Sequence, residues 1–148
     1  MRELNSREVY RLEECLRELA AHHNEVSVNF KGCFPSKPFQ DILADFEKDV
    51  NSGISRIAVI EREGKILGFC KADIRGEAGT VDYLMVRKEN RGNGYGDTLF
   101  TWALDALRTG GARRIEIRVV DGNDAIRFYE RYGFRTVSHI LRMELPRS

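Results

Sequence analysis

The sequence predicts an α/β chain of the α+β kind, with a mixed, mostly antiparallel central sheet flanked by about four helices. Three observations carry this. Helical periodicity fills the first third of the chain. Three short apolar runs joined by tight turns then read as an antiparallel meander. Finally, a strand–helix–strand unit from Thr80 to Val120 calls for a parallel pair in the same sheet. The 148 residues amount to one core, so residues 1–148 are expected to form a single domain.

The elements follow in order. Val9, Leu12, Leu16 and Leu19 recur at spacings of three and four, which predicts a helix from Ser6 to His23 with Ser6 as its N-cap. Val26 to Phe30 is a short alternating piece in an otherwise irregular stretch. A second helix starts near Pro38, with Phe39, Ile42, Leu43, Phe46 and Val50 on one face, and Asn51-Ser52-Gly53 stops it. Ile57–Ile60, Ile66–Cys70 and Thr80–Val86 are the meander strands, turned at Glu63-Gly64 and Gly76-Glu77-Ala78-Gly79. A glycine-rich stretch, Arg91-Gly92-Asn93-Gly94-Tyr95-Gly96, opens a third helix that runs to about Thr109 and carries Leu99, Trp102, Ala103, Ala106 and Leu107 inward. Ile115, Ile117 and Val119 alternate with charged residues, the mark of a half-buried strand. Asp124 to Tyr132 is a short helix, and Phe134 to Leu145 is a final strand.

Composition excludes several classes. Hydrophobic residues are 42%, charged residues 32% and net charge +1, so no global basic field exists for nucleic acid or an anionic membrane. No apolar run approaches the ~20 residues of a membrane span, and the N-terminus is too charged for a secretory signal. Cys15, Cys33 and Cys70 fit neither a disulfide framework nor a metal site, which points to a reducing, cytoplasmic setting and no metal. The near-neutral total hides a gradient. Residues 1–53 are net −3, residues 54–97 net +1 and residues 98–148 net +3. Differences this small read first as solvated faces; the functional reading has the acidic first third facing a cationic substrate and the basic remainder an anionic one.

The glycine stretch carries the chemistry. It follows a strand and opens a helix, where unpaired amides and the helix dipole favour an anion. Glycines let the backbone approach it closely. No GK[ST] follows, so this is no Walker A loop, and Asp97 breaks the dinucleotide fingerprint. Phosphate binding without nucleotide hydrolysis is the reading.

The stretch Val86–Gly96 resembles the acetyl-CoA motif of the GNAT acyltransferase superfamily, Gln/Arg-x-x-Gly-x-Gly/Ala, with Arg91, Gly94 and Gly96 at the matching positions. Ala125-Ile126-Arg127-Phe128-Tyr129-Glu130-Arg131-Tyr132-Gly133-Phe134 is similar to the family's second signature. The likeness covers residues 54–145 closely, and the first 53 only as two helices. One position departs. Where the family usually has Asn seven residues before the Tyr, this chain has Gly122, with Asn123 next to it.

The resemblance implies a GNAT fold, in which the parallel strand pair splays apart, and an N-acetyltransferase that moves an acetyl group from acetyl-CoA to a primary amine of a small molecule by direct attack. It places the acetyl-CoA core in 54–145 and a substrate side in the helices of 1–53. It implies cofactor contacts from Leu84, Met85, Val86, Arg91, Gly92, Asn93, Gly94, Tyr95, Gly96, Asp97, Asn123 and Tyr129. An amide near Met85 or Val86 would polarise the thioester carbonyl. Tyr129, protonated at neutral pH, would be the general acid for the departing thiolate. Asp82 is the first candidate for the base, with Glu116 or a water chain as alternatives. His23, Glu25 and Phe34 are candidate acceptor contacts. One arginine from Arg113-Arg114 or Arg127/Arg131/Arg135 would meet the 3′-phosphate. A homodimer is compatible with the resemblance. Acetylation of a protein N-terminus or lysine, and CoA binding without turnover, stay open as alternatives.

Overall fold

In the computed structural model, which describes residues 1–147, five strands form one sheet in the order β1-β2-β3-β4-β5. They are β1 (Arg2–Glu3), β2 (Ser55–Arg62), β3 (Lys65–Arg75), β4 (Ala78–Val86) and β5 (Arg114–Ile117). The β1–β2, β2–β3 and β3–β4 pairs are antiparallel, and β4–β5 is parallel. Helices α1 (Glu13–Val26) and α2 (Phe39–Asn51) cover one face. Helix α3 (Tyr95–Thr109) and the short α4 (Ile126–Glu130) cover the other. This is the mixed sheet with four helices read from the sequence. Among the described residues no helix is long and apolar enough to cross a membrane.

Strand alternation divides the core in two. Ile57 and Val59 of β2 join Leu12, Leu16, Phe46, Phe69 and Met85 under α1 and α2. Their neighbours Ala58 and Ile60 join Cys70, Leu99, Phe100, Ala103 and Leu107 under α3. Each fully buried Leu or Phe stabilises by about 1.5–3 kcal/mol, so both faces of the sheet are firmly held. Trp102 is only half-buried, with Arg56 5.7 Å over its ring. Phe100 and Leu104 occupy the core positions beside it.

The N-terminal segment differs from the expected single helix. Ser6–Leu12 is a 3-10 helix that leads into α1, and Asn5 is its cap. The Asn5 side chain accepts from the Arg7 amide at 3.0 Å, and the Asn5 amide donates to Glu8 at 3.2 Å. That reciprocal pair satisfies two helix-start donors, which Ser6 alone cannot do. Arg2 holds the Glu8 carboxyl down at about 2. The stabilisation this gives is present above the ordinary glutamate range and is lost as pH falls towards 2. Helix α1 also runs on to Val26, so the alternating piece Val26–Phe30 is not a strand. The Asp121 carboxylate takes its donors instead: Ser27 Oγ at 2.7 Å and the amides of Val28 and Asn29, both at 2.9 Å.

Three backbone features shape the region around the gap between β4 and β5. Opposite Lys71 and Ala72 of β3 stand Tyr83 and Val81, which leaves Asp82 as the extra residue of a β-bulge. Pairing between β4 and β5 ends at Val81–Ile117, so residues 82–86 have a neighbour on the β3 side only. The strands part there, as the resemblance implied. Gly122, in the loop after β5, has φ of +78°, and a Cβ built on it would lie 2.2 Å from the Val26 carbonyl oxygen. No side chain fits there, which accounts for the missing asparagine. Gly122→Ala should therefore lower the melting temperature by several degrees, the left-handed strain alone costing about 1–2 kcal/mol. A thermal melt superposing on wild type would contradict this docking of the loop on α1.

The expected strand from Phe134 to Leu145 is not formed. Residues 134–147 form no strand, because an extended segment becomes a strand only beside a ladder partner. Val137, Leu141 and Met143 stand 91%, 93% and 81% exposed.

Candidate functional site

Where β4 and β5 part, a cleft of about 870 Å³ opens. It is walled by the free edge of β4, the start of α3, residues 118–120 beyond β5, α4, and the α1 side with Phe34 and Pro35. Arg87 donates its amide to Leu67 at 2.8 Å across the β3–β4 ladder. Main-chain groups alternate in direction along an antiparallel strand. Met85 therefore faces β3 like Arg87, whereas Leu84 and Val86 turn their amides and carbonyls into the gap. Arg91 Nε already donates to the Val86 carbonyl at 3.2 Å. Of the two amides named for polarising a carbonyl, the geometry favours that of Val86.

The glycine stretch forms the end of the cleft. Gly92 and Gly94 have φ of +87° and +77°, with open space where a Cβ would sit. Gly94 caps α3, and the first amide of that end to reach a main-chain acceptor is Thr98, bonded to Gly94 at 3.1 Å. The amides before it lie at the positive end of the helix dipole. Arg91, Gly92, Gly94, Tyr95, Gly96 and Asp97 line the cleft; Asn93 does not, and its side chain donates to the Asn90 carbonyl at 3.0 Å. The Asp97 carboxylate accepts from the Tyr132 hydroxyl and lies 3.9 Å from Arg131. Its amide rather than its side chain is suited to an anion.

Helix α4 is held by aromatic packing. Phe100 is fully buried, with the rings of Phe128, Tyr129, Tyr132 and Phe134 at 4.8–5.7 Å from its centroid. Phe128 and Tyr129 both belong to this cluster and both line the cleft. Burial pushes the Tyr129 phenol up to about 12, so it is firmly protonated at neutral pH. Asn123 lines the cleft, and its Oδ1 accepts from the Ala125 amide at 2.9 Å. That bond sets the start of α4 and takes one of the oxygen's two lone pairs.

Asp82 sits at the bulge with its side chain exposed at the cleft wall, although protein atoms crowd the carboxyl from one side. That crowding, and the negative charge of Asp73, raise its pKa, with Lys71 and Arg118 opposing. Asp73 itself is buried, bonded to Lys71 Nζ at 2.8 and 2.9 Å and to Ser55 Oγ at 2.5 Å. Glu116, the alternative carboxylate, is bound to Arg114 at 3.0 Å and does not line the cleft.

The helical wall differs most from expectation. His23 and Phe34 line the cleft, their rings 5.3 Å apart edge to face. Asn24 fixes Phe34, donating to its carbonyl at 2.7 Å and accepting from its amide at 2.9 Å. Burial, then the neighbouring His22, lowers the His23 pKa and so favours a neutral ring. Glu25 is exposed and is not among the lining residues. No acidic residue of the first third lines the cleft. Glu3 pairs with Arg56, Glu8 with Arg2, Glu14 and Glu18 with Arg87, and Asp45 with Lys37. Most acidic residues of the first third are thus engaged in ion pairs, and none faces the cleft. On the opposite side Arg91, Arg118 and Arg131 do line it; Arg113, Arg114, Arg127 and Arg135 do not. Sequence reading missed Arg118, Asn24 and Asp121. Only Arg118 had a signal, its place in the alternation after Ile117.

The parting of β4 and β5 over an open cleft is the arrangement that the resemblance implied. A family profile described as Acetyltransferase (GNAT) family matches residues 15–134, and the chain belongs to that family. Its structure is similar to that of a tetramutant of the BH1408 protein from Bacillus halodurans, with TM-score 0.77 and 21% identity over 97% of this chain and 98% of that one. It is also similar to the aminoglycoside N-acetyltransferase AAC(6')-Iy in complex with CoA, with TM-score 0.73 and 16% identity over 97% and 92% of the two chains. A Trypanosoma brucei acetyltransferase matches with TM-score 0.70 and 20% identity over 97% of each chain. At these identities the likeness is one of fold.

Proposed function

We propose that the protein is an N-acetyltransferase carrying an acetyl group from acetyl-CoA to a primary amine of a small molecule, by direct attack within this cleft. The observation that carries the reading is the unpaired β4 edge from Asp82 to Val86, with the open amides of α3 and the Tyr129 phenol in the same cleft. The main chain of Leu84 and Val86 is suited to pair with a pantetheine arm, and the amides of Gly92 to Asp97 to hold a pyrophosphate. Arg131 is the arginine best placed for a further phosphate. Asn123 positions α4 and through it Tyr129.

The chemistry follows from the groups present. The Val86 amide polarises the thioester carbonyl. Asp82, its pKa raised, takes the proton that the amine must lose. Activity should therefore fall as pH drops through that raised value. Tyr129 donates a hydrogen bond to the departing thiolate. A thiol titrates at about 8.5, below the phenol, so complete transfer from Tyr129 occurs only as the amine's proton is released to the site. Cys15, held at about 11 by burial, and the buried Cys70 take no part as nucleophiles. The free thiols suit a reducing cytoplasm.

The helical wall also describes the acceptor. Leu16, Leu19, Phe34, Pro35, Phe39 and Ile42 present an apolar surface around His23, with no carboxylate among them. An amine with one charge and an apolar or aromatic body fits this better than a polycation. Thiol release from acetyl-CoA, measured over a panel of arylalkylamines, polyamines, aminoglycosides and peptides, tests it. The arylalkylamines should lead the polycations by about 10-fold or more in kcat/KM, at the lower end of the roughly 10–200-fold that one methylene in an apolar pocket is worth. Preference for a polycation would overturn the acceptor assignment, and preference for peptides would favour protein acetylation instead.

A further inference from the structure

Past Ile117 the sheet no longer supports the cleft wall. Strand β5 pairs with β4 only as far as Val81–Ile117, and residues 118–125 form neither helix nor strand. Yet Arg118, Val119, Val120, Asn123 and Ala125 line the cleft, and the stretch leads directly into α4 and Tyr129. On the facing wall α1 ends at Val26, and a loop carries the chain round to Phe34. The two sides meet at Asp121. Its Oδ1 accepts from Ser27 Oγ at 2.7 Å, and its Oδ2 from the amides of Val28 and Asn29, both at 2.9 Å. Ser27 is fully buried, and its Oγ also accepts from the Phe30 amide at 2.9 Å. The turn after α1 is therefore built around this one carboxylate. Among the described residues, every hydrogen bond between the helical wall (residues 13–51) and the chain from β5 onward (residues 114–147) ends on Asp121. Hydrogen bonds to an ionised acceptor are the stronger kind.

We propose that Asp121 is a positioning residue that sets the width of the acceptor end of the cleft, by tying the wall of His23 and Phe34 to the loop that leads into α4. Calling this the acceptor end rests on the proposed function, whereas the bridge itself stands on the hydrogen bonds. Asp121 is not among the lining residues, so it acts through its neighbours. On one side these are Ser27 to Asn29. On the other they are Val120 and Asn123, which do face the cleft. The remaining anchors each serve a single wall. Asn24 fixes Phe34 to α1, and Phe100 packs Tyr129 against α3. Asp121 joins the two, and so fixes the distance between the apolar wall and the phenol. That distance matters because a misplacement of about 1 Å between reacting groups can cost about 10²-fold in rate.

The bridge is tested without any substrate. Cys33 is exposed, whereas Cys15 and Cys70 are buried, so one spin label goes on Cys33 and a second on Arg127→Cys, an exposed position of α4. With Asp121 in place the distance distribution across the cleft should be narrow. In Asp121→Ala it should broaden and lengthen by several Å, and a distribution superposing on the first would overturn the proposal. The consequence for the reaction is read in the unlabelled protein. Asp121→Ala should lower kcat/KM for the best amine by about 10-fold or more, with the acetyl-CoA dissociation constant within twofold of wild type. Asp121→Asn should recover most of the loss, because its amide oxygen can accept from the two backbone amides and its NH₂ can donate to Ser27 Oγ. A merely structural Asp121 predicts a lowered melt and an unchanged kcat/KM for the folded protein. That result would overturn the positioning role, as would an equal loss of acetyl-CoA affinity or an Asp121→Asn as impaired as Asp121→Ala. No acetyl transfer by the wild type would instead overturn the proposed function, and the label distances would still decide the bridge.

Discussion

Tyr129→Phe should lower kcat by about 10²–10⁴-fold, the usual worth of a positioned general acid, with acetyl-CoA affinity within twofold of wild type. The substitution removes one oxygen and keeps the ring. The packing on Phe100 at 5.3 Å and on Phe128 at 5.4 Å is therefore retained, and the melting temperature should not move. A merely structural tyrosine predicts the reverse, a changed melt and an unchanged rate. Asp82→Asn is the informative companion. It removes the group that titrates on the acid side, so its kcat/KM should be low and flat there, whereas the Tyr129→Phe profile keeps the acidic fall. An unchanged rate in Tyr129→Phe would remove the phenol from the mechanism and leave water to protonate the thiolate.

Gly94→Glu should raise the dissociation constant for acetyl-CoA at least 100-fold. The residue has φ of +77° and open space at its Cβ, so the fold survives at a cost of about 1–2 kcal/mol for the left-handed backbone. What the glutamate adds is bulk and negative charge at the end of α3 where the amides stand open. Gly94→Asn separates the two effects, because asparagine tolerates this conformation and carries no charge. It should bind acetyl-CoA between wild type and Gly94→Glu. Calorimetric titration of the three proteins makes the comparison, and wild-type affinity in Gly94→Glu would move the pyrophosphate away from this helix end.

The features legible in the sequence were those with a local signal. Helix α3 announced itself through Gly94 at its cap and Leu99, Ala103 and Leu107 along its buried face. The three meander strands followed from apolar runs and the turn at Glu63-Gly64, both residues of positive φ. The features that escaped depend on partners far away in the chain. The bulge at Asp82 exists only in register with Lys71 and Ala72. The demand for glycine at 122 comes from a carbonyl at Val26, and the fate of Val26–Phe30 from the carboxylate of Asp121. A two-residue strand such as Arg2–Glu3 is too short to alternate at all. Charge was the least transferable signal. Summing the first third gave an acidic field, but Glu14 and Glu18 are held by Arg87 at 3.2 and 3.4 Å, and the wall they were expected to charge is apolar. The alternation of Leu141, Met143 and Leu145 led to an expected strand that is not formed, because alternation marks a candidate segment but supplies no ladder partner.

On the proposed function, this cleft moves an acetyl group from a CoA thioester to an amine. Mass spectrometry of the acceptor, taken alongside thiol release with and without an arylalkylamine, tests it most directly. The expected result is amine-dependent thiol release matched one for one by acceptor carrying a single added acetyl group. Thiol release that is the same with and without any amine in the panel, and no acetylated product, would contradict the assignment.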